Sequence, residues 1–223
     1  MRAAGRELID DPIDSLQELE ESFQDIEAAN RWLGGFRALK VGALRHGVHD
    51  VLDVGTGSAD MPRELLRAAR ARGRSLRVVC TDVNPAMLEV ARLRGAADPA
   101  LSFAREDGTA LTYPDAAFDA AMCNLSLHHF DERSAVLVLR ELRRVSRVTP
   151  VVTDLRRSRV AWALAWVLSR LHSRNRLTRH DAPMSVLRAY TPSEAIDLAR
   201  RAGWANPRVR LVAFFRMVLT DES

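Results

Sequence analysis

The chain has 223 residues, of which 47% are hydrophobic and 28% charged, and its formal net charge is +4. This composition excludes a disordered chain and, at ~100–200 residues per domain, favours one domain with an elaboration. The longest apolar run, Val160–Leu168, is far shorter than the ~20 residues that cross a bilayer. The N-terminus lacks the basic and apolar stretches of a signal peptide, so we expect a cytoplasmic protein. The two cysteines, Cys80 and Cys123, are too few for a disulfide framework or a zinc cluster.

Charge is distributed unevenly along the chain. Residues 1–30 carry nine acidic and two basic side chains, a balance of −7. Residues 133–188 carry thirteen arginines and three acidic side chains, a balance of +10. Two interpretations stay open: both segments are solvated helix faces, or they form surfaces for a nucleic acid, an anionic membrane or an acidic partner.

The predicted elements begin with one or two amphipathic helices between Asp14 and about Leu44, interrupted at Gly34 and Gly35. Strands and helices then alternate. The strands are short and continuously apolar, which is typical of a parallel sheet covered on both faces. The predicted strands are His49–Val54, Leu76–Thr81, Leu101–Ala104, Phe118–Asn124 and Thr149–Leu155. The predicted helices between them are Asp60–Arg72, Pro85–Leu93 and Glu132–Val145.

The pattern changes after the fifth strand. An arginine-rich helical insertion, a lid, is expected at about 156–185. Thr191, Pro192 and Glu194 then form a capping box with proline at the first helical position, and that helix ends before Gly203. Two apolar runs follow that could pair as antiparallel strands, Val209–Ala213 and Phe214–Leu219. We predict an α/β fold: a Rossmann-like doubly wound sheet, mostly parallel with a C-terminal antiparallel strand, over 47–223, preceded by a helical extension over 1–46.

The most informative motif is VLDVGTGSAD, residues 51–60, in which a buried strand turns through Gly55 and Gly57 into a helix. These glycines let a ligand approach the backbone closely. The dinucleotide fingerprint requires a third glycine at position 60, where this chain has Asp60, whose carboxylate would repel a pyrophosphate. Asp82, at the end of the next strand, can accept two hydrogen bonds from a ribose diol. The loop therefore suits a nucleoside without phosphates.

Four segments occur in this order along the chain: VLDVGTGSAD, CTDVNPAML, REDGTAL and FDAAMCNLSLHHF. Together, over about residues 49–155, they resemble the class I S-adenosylmethionine-dependent methyltransferases. The resemblance implies S-adenosylmethionine as the cofactor and roles for eight residues. Asp53, Gly55 and Gly57 would hold the methionine part, Asp82 the ribose, Val83 the adenine ring, Asp107 with Gly108 the adenine amine, and Asn124 the region of the methyl group. From the residues alone, Asp53 could instead cap the turn, and Asp107–Gly108 could be a simple turn.

Three histidines are candidates for the base, because imidazole accepts a proton near neutral pH. His128 and His129 follow Asn124 closely, and we expect one of them, but not both, to face the reaction centre. His180 lies in the lid beside Asp181, and since neighbouring side chains usually diverge, no dyad is implied. The candidate substrate contacts are Arg31 and Arg179, for a carboxylate, and Trp162 and Trp166, which would wall the pocket if they do not pack in the core.

Several chemistries of this superfamily are not expected. Asp131 and Asp154 could serve a divalent metal, but Asp154 is followed by Leu155 rather than by another oxygen ligand, so no metal site is predicted. Residues 124–127 lack the signatures of the enzymes that methylate adenine or cytosine in nucleic acids, so a nucleic-acid substrate is not expected.

Three functions remain open. The preferred one is O-methylation of a small aromatic or polyketide-like natural product in secondary metabolism, although the chain also resembles the C-methyltransferases of quinone biosynthesis. The second is action on a carrier-bound or macromolecular substrate, with the basic segment in contact with a membrane surface or an acidic carrier protein. The third is a homologue that keeps the cofactor without transferring methyl.

Overall fold

A seven-stranded sheet organises the chain, which the computed structural model describes for residues 2–3, 5–11, 15–44, 47–212 and 215–222. The strands are β1 (Asp50–Val54), β2 (Arg77–Asp82), β3 (Leu101–Arg105), β4 (Phe118–Asn124), β5 (Ser146–Leu155), β6 (Pro207–Val212) and β7 (Arg216–Asp221). Their order is β3-β2-β1-β4-β5-β7-β6. β7 runs antiparallel to β5 and β6, while β1 to β5 pair in parallel. The predicted Rossmann-like sheet with a C-terminal antiparallel strand is confirmed.

Helices cover both faces of this sheet. They are α1 (Leu16–Trp32), α2 (Gly35–Ala43), α3 (Asp60–Arg70), α4 (Pro85–Gly95), α5 (Glu132–Val145), α6 (Arg159–His172), α7 (Arg176–Arg188) and α8 (Pro192–Arg201). Successive residues of a strand point to opposite faces. On β1, Leu52 therefore packs in the core with Leu139 of α5, while Val51 packs in the core with Leu65 of α3. This double burial explains why the strands are continuously apolar.

Most predicted boundaries agree with the structure to within three residues. The capping box at α8 is present: Thr191 Oγ1 accepts the Glu194 N–H at 3.3 Å, and Glu194 Oε2 accepts the Thr191 N–H at 2.8 Å. The two predicted C-terminal strands are β6 and β7, and β7 begins at Arg216 rather than at residue 214. Residues 213 and 214, which the prediction included, lie outside the described residues.

The N-terminal helices and the lid meet over one edge of the sheet. α1 packs on α7, and α7 packs on α6, so these three helices form a cover. α2 instead packs on β5 and β7, where Leu39 is fully buried. The domain boundary after residue 46 remains a prediction, since α2 contributes directly to the core. Among the described helices, none combines the length and the apolar character that a membrane crossing requires.

Candidate active site

A cavity of about 1050 Å³ lies at the carboxyl ends of the parallel strands. Its floor consists of the loops that follow β1, β2 and β4, and its walls come from α1, α6 and α7. Ligands of open parallel sheets bind at this edge. Because ordinary ligand pockets measure ~300–1,000 Å³, the cavity has room for a nucleoside cofactor together with a second small molecule.

The loop after β1 depends on glycine for two separate reasons. Gly55 and Gly57 have φ angles of 71° and 52°, in the left-handed region that glycine adopts without strain. A Cβ at Gly55 would also overlap the Oγ of Ser126. Ala59 also adopts a left-handed φ, 57°, in spite of its methyl group. The predicted glycine turn is therefore present, and its role in binding a nucleoside stays a prediction.

Asp82, at the end of β2, is hydrogen-bonded to this loop. Its Oδ2 accepts the N–H of Gly57 at 3.1 Å, and its Oδ1 accepts the N–H of Asn84 at 3.0 Å. Burial raises the pKa of this carboxyl. Asp82 lines the cavity floor, so it lies where a ribose diol could donate to it, and the predicted ribose contact stays a prediction.

Asp53 and Asn124 form a buried polar chain between neighbouring strands. Asn124 donates its Nδ2–H to Asp53 Oδ1 at 2.7 Å, and its Oδ1 accepts the Thr153 hydroxyl at 2.7 Å. Burial raises the pKa of Asp53 to about 7. Both Asp53 and Asn124 line the cavity, so each combines a structural bond with access to a ligand.

The residues expected near the adenine also lie on the cavity. Val83 lines the cavity and is 56% exposed, so its side chain is available to pack against a bound ring. Asp107 Oδ1 accepts both the N–H and the hydroxyl of Thr109, at 2.8 and 2.7 Å, so the turn considered as an alternative exists. A Cβ at Gly108 would come within 2.7 Å of Val54 Cγ1, so close packing is sufficient to explain why this position is a glycine. The adenine contacts stay predictions.

The described residues fit S-adenosylmethionine. Three acidic residues, Asp53, Asp60 and Asp82, line the floor, and the cofactor carries a sulfonium and an ammonium that carboxylates attract. The hydroxyl of Ser58 is buried beside them and has no hydrogen-bond partner within the part of the chain that the structure describes. A buried polar atom of this kind is normally satisfied by a ligand or water.

Both histidines of the β4 loop line the cavity, whereas only one of them was expected to face the reaction centre. His128 Nδ1 lies 2.7 Å from Asp154 Oδ1, and His129 Nδ1 lies 2.7 Å from Asp10 Oδ1. Their ring centroids are 4.5 Å apart. The physical reason is the carboxylate of Glu7, which lies 3.7 Å from one Nε2 atom and 3.8 Å from the other and draws both rings to one side. Burial lowers the pKa of His129, but Asp10 and Glu7 outweigh burial, so this pKa is raised.

The same three side chains could hold a metal ion. One ligand atom each from Glu7, His128 and His129 lies within 4.8 Å of the others. However, Arg188 Nε lies 3.6 Å from Glu7 Oε1, and Ser185 donates its hydroxyl to Glu7 Oε2 at 2.5 Å. This carboxylate therefore already has a cation and a donor beside it. The prediction that the chain has no metal site stays a prediction.

The lid residues chosen from the sequence lie elsewhere, and these expectations require correction. His180 is paired with Asp181 at 2.7 Å, contrary to the expected divergence, but it faces a separate pocket with Arg179 on the outer side of the lid. Trp162 and Trp166 are 39% and 44% exposed and do not line the cavity, because a different side of α6, with Ala161, Ala165 and Leu168, faces it.

Arg31 and Arg179 also lie outside the cavity wall, so neither meets a substrate carboxylate there. Arg31 is mostly exposed and pairs with Glu27 one helical turn away, at 3.2 Å. Arg179 donates to the backbone carbonyls of Ser173 and Arg170, at 2.9 and 3.1 Å, and so fastens the turn between α6 and α7.

Sequence reasoning missed several polar residues of the cavity. Arg216 is buried on β7, donates to Asn30 Oδ1 at 3.1 Å, and has an Nε atom without a partner among the described residues. Burial lowers its pKa to about 10. An arginine within an otherwise apolar strand could have signalled this position. Glu7 and Asp10 carried no such signal, because they reach the cavity only through the path of the N-terminal segment.

The fold is a doubly wound sheet, and its cavity lies at the carboxyl ends of the parallel strands. Residues 51–148 match the model of a family described as a methyltransferase domain. The demethylmenaquinone methyltransferase of Deinococcus radiodurans is 35% identical over 141 residues, which cover 58% of this chain and 57% of that protein. Both matches agree with the resemblance of the four sequence segments to the class I S-adenosylmethionine-dependent methyltransferases. The alignment spans little more than half of that curated relative.

Solved structures share the fold over almost the whole chain. A SAM-dependent methyltransferase from Aquifex aeolicus has a TM-score of 0.66 at 18% identity and covers 92% of this chain and 98% of its own. The S-adenosylmethionine-dependent methyltransferase SibL, in its apo form, has a TM-score of 0.66 at 20% identity and covers 98% of this chain and 62% of its own. At these identities the likeness concerns the fold alone.

Proposed function

We propose that this chain transfers the methyl group of S-adenosylmethionine to a small aromatic substrate that carries an ionisable hydroxyl, with His128 as the base. One observation carries the proposal: His128 and Asp154 form a buried pair, 2.7 Å apart, whose imidazole lines the same cavity as the glycine loop. A buried carboxylate holds an imidazole in one tautomer and stabilises the imidazolium formed when the other nitrogen takes a proton.

The chemistry divides between the cofactor and the protein. The bound cofactor supplies an electrophilic methyl on a sulfonium, and the substrate oxygen bonds to the methyl carbon as the carbon–sulfur bond breaks. His128 Nε2 accepts the hydroxyl proton, and Asp154 keeps the proton on Nδ1. Asn124, fixed by its bonds to Asp53 and Thr153, holds the loop that presents this base. Such proton removal contributes typically ~10²–10⁴-fold to a rate.

The cavity walls favour an apolar substrate. Phe23 and Ile26 of α1 face the cavity, as do Leu164 and Leu168 of α6. Apolar walls with a few directed polar groups are characteristic of small-molecule sites. An aromatic or polyketide-like compound with one acidic hydroxyl matches these walls better than a sugar or an amino acid does.

Which substrate atom is methylated depends on how the substrate is aligned with the methyl group, and not on which base removes the proton. A phenolate shares its negative charge between the oxygen and the adjacent ring carbons, so the same proton removal activates both. We favour the oxygen as acceptor, because a histidine base suits a phenol. The ring carbon is the second candidate, favoured by the 35% identity to a demethylmenaquinone methyltransferase.

The experiment is a screen with S-adenosylmethionine labelled with ¹³C in its methyl group, against phenols, polyketides and quinols. NMR of the product distinguishes a methoxy group from a ring methyl. We expect label in one aromatic class with the wild type and a large loss of turnover with His128→Gln. Tight cofactor binding without transfer to any acceptor would contradict the proposal and favour a homologue that does not methylate.

A further inference from the structure

The lid helix α6 presents an apolar face to solvent. Twelve large hydrophobic side chains are exposed among the described residues, and six of them lie on this helix. The six are Val160, Trp162, Leu164, Trp166, Val167 and Leu171, with exposures between 39% and 73%. Leu164 also lines the cavity, so the other five make up the outward apolar surface. Monomeric proteins rarely leave so many apolar side chains together without a partner surface.

Cations flank this apolar face at both ends. Residues 155–180 contain seven arginines and no acidic residue. Arg156, Arg157 and Arg159 precede or begin α6. At the other end, a pocket of about 370 Å³ is lined by Arg170, Arg174, Arg176, Arg179 and His180.

Some side chains of this pocket already have partners within the chain, and others do not contact an acidic side chain among the residues that the structure describes. Arg176 is paired with Glu18 at 3.1 Å, and Arg179 donates to backbone carbonyls. The guanidinium of Arg170 lies 4.2 Å from the Trp166 ring centroid. The two side chains form a cation–π contact at the edge of the apolar face. Arg170 and Arg174 are both exposed on the outer surface.

We propose that α6 is a docking surface for an anionic lipid bilayer. Its apolar face would enter the interface between headgroups and acyl chains, and the pocket formed by Arg170, Arg174, Arg176, Arg179 and His180 would hold lipid phosphates. Interfacial helices combine these two features: aromatic and aliphatic side chains on one face and arginines beside it. The proposal does not depend on methyl transfer, because it concerns the outer face of the lid.

The arginines of the lid favour an anionic bilayer over a second copy of the chain as the partner of α6. Two copies packed through α6 would bring two arginine-rich segments together without an acidic residue from residues 155–180 of either copy, and like charges across an interface are costly. An anionic bilayer satisfies the arginines and the apolar side chains at once. The inner face of the helix, with Ala161, Ala165 and Leu168, lines the cavity, so a docked lid would place the cavity directly beside the lipid.

The test is flotation of the full chain with vesicles of phosphatidylglycerol and phosphatidylcholine, compared with vesicles of phosphatidylcholine alone. We expect binding to the anionic vesicles, weakened at high salt. Arg170→Ala combined with Arg174→Ala should reduce affinity about tenfold or more. The matched control is Arg92→Ala combined with Arg208→Ala, two exposed arginines outside the lid, which should bind as the wild type does.

Insertion is measured separately with brominated lipids, which quench nearby tryptophans. Quenching should persist in Trp32→Phe, whose tryptophan is 75% exposed on α1, and disappear in Trp162→Phe combined with Trp166→Phe. Unchanged thermal unfolding of each variant shows that the fold is retained. Equal binding to neutral and anionic vesicles, quenching through Trp32, or dimers that depend on Trp162 and Trp166 without vesicle binding would each overturn the proposal.

Discussion

The imidazole Nδ1 of His128 lies 2.7 Å from Asp154 Oδ1, while the backbone N–H of His128 donates to the other oxygen of the same carboxylate at 3.0 Å. One carboxylate at the end of β5 thus fixes both the ring and the backbone of the loop after β4. Both side chains are almost fully buried. Because adjacent parallel strands end side by side, this pair can form between residues far apart in the chain, and it determines which nitrogen faces the cavity.

His128→Gln should lower kcat by roughly 10²–10⁴-fold, because glutamine keeps a polar group but takes no proton. The dissociation constant for S-adenosylmethionine should stay within twofold, since none of the predicted cofactor contacts is assigned to the His128 ring. Steady-state kinetics and calorimetry measure the two quantities. His49→Gln, an exposed histidine before β1, is the matched control and should retain full turnover. Equal kcat in both variants would remove His128 from the mechanism.

Asp82→Ala should weaken binding of S-adenosylmethionine at least tenfold, equivalent to about 1.4 kcal/mol. The carboxylate both receives the Gly57 N–H and faces the ribose position, so its loss affects the loop and the ligand together. Glu89→Ala, an exposed carboxylate on α4, serves as control. Calorimetric affinity that is unchanged in Asp82→Ala would disprove the ribose assignment.

Cofactor affinity should fall as the pH decreases from 8 to 6. The pKa of Asp53 is raised to about 7, so its carboxyl gains a proton over this range and loses the negative charge that attracts a cationic ligand. Binding near pH 7 should accordingly release a proton, which calorimetry in buffers of different ionisation enthalpy detects. In Asp53→Asn the affinity should no longer change between pH 6 and 8. A wild-type affinity that is constant across this range contradicts the role given to Asp53.

Removal of metal ions should leave turnover unchanged. Ser185 donates its hydroxyl to Glu7 Oε2, and Arg188 Nε lies 3.6 Å from Glu7 Oε1, so the carboxylate already has a donor and a cation beside it. The measurement is kcat after dialysis against a chelator, with the metal content of the purified chain determined in parallel. Activity that is lost on chelation and restored by a divalent ion would assign Glu7, His128 and His129 to a metal site.

Asp119→Asn should reduce the free energy of unfolding by about 1–3 kcal/mol at pH 7. Asp119 Oδ2 accepts the N–H groups of His49 and Asp50, each at 2.9 Å. Burial raises the pKa of Asp119, but these donors and Arg147 outweigh burial and bring it down to about 2. The folded pKa lies below the ordinary value of 3.8, so this stability is present above about pH 4 and is lost as the pH falls through 2.

Thermal unfolding between pH 2 and 7 checks this prediction. The difference between wild type and Asp119→Asn should shrink towards pH 2. Asp115→Asn is the matched control, because Asp115 is 81% exposed and its ion pair with Arg144 should contribute little. A difference between wild type and Asp119→Asn that does not vary with pH would show that the ionised carboxylate is not the source of the stability.

The backbone geometry of the glycine loop was largely predictable from local sequence. Gly55 and Gly57 need a left-handed backbone that few other residues adopt, and Asp82 ends a buried strand. Local sequence left three histidines as candidates for the base, because the partners that distinguish His128, Asp154 and Glu7, come from different parts of the chain. His180 was the wrong choice, since no local pattern shows which side of a lid faces inward.

By itself the sequence determined the order and the types of the elements, the capping of α8 and the glycine loop, because each depends on residues a few positions apart. Only the tertiary structure decided which titratable side chains meet. His129 and Asp10 are 119 positions apart and come within 2.7 Å. It also decided that Trp162 and Trp166 face outward, because a helix with apolar residues around most of its circumference contains no signal for which face its neighbours will cover.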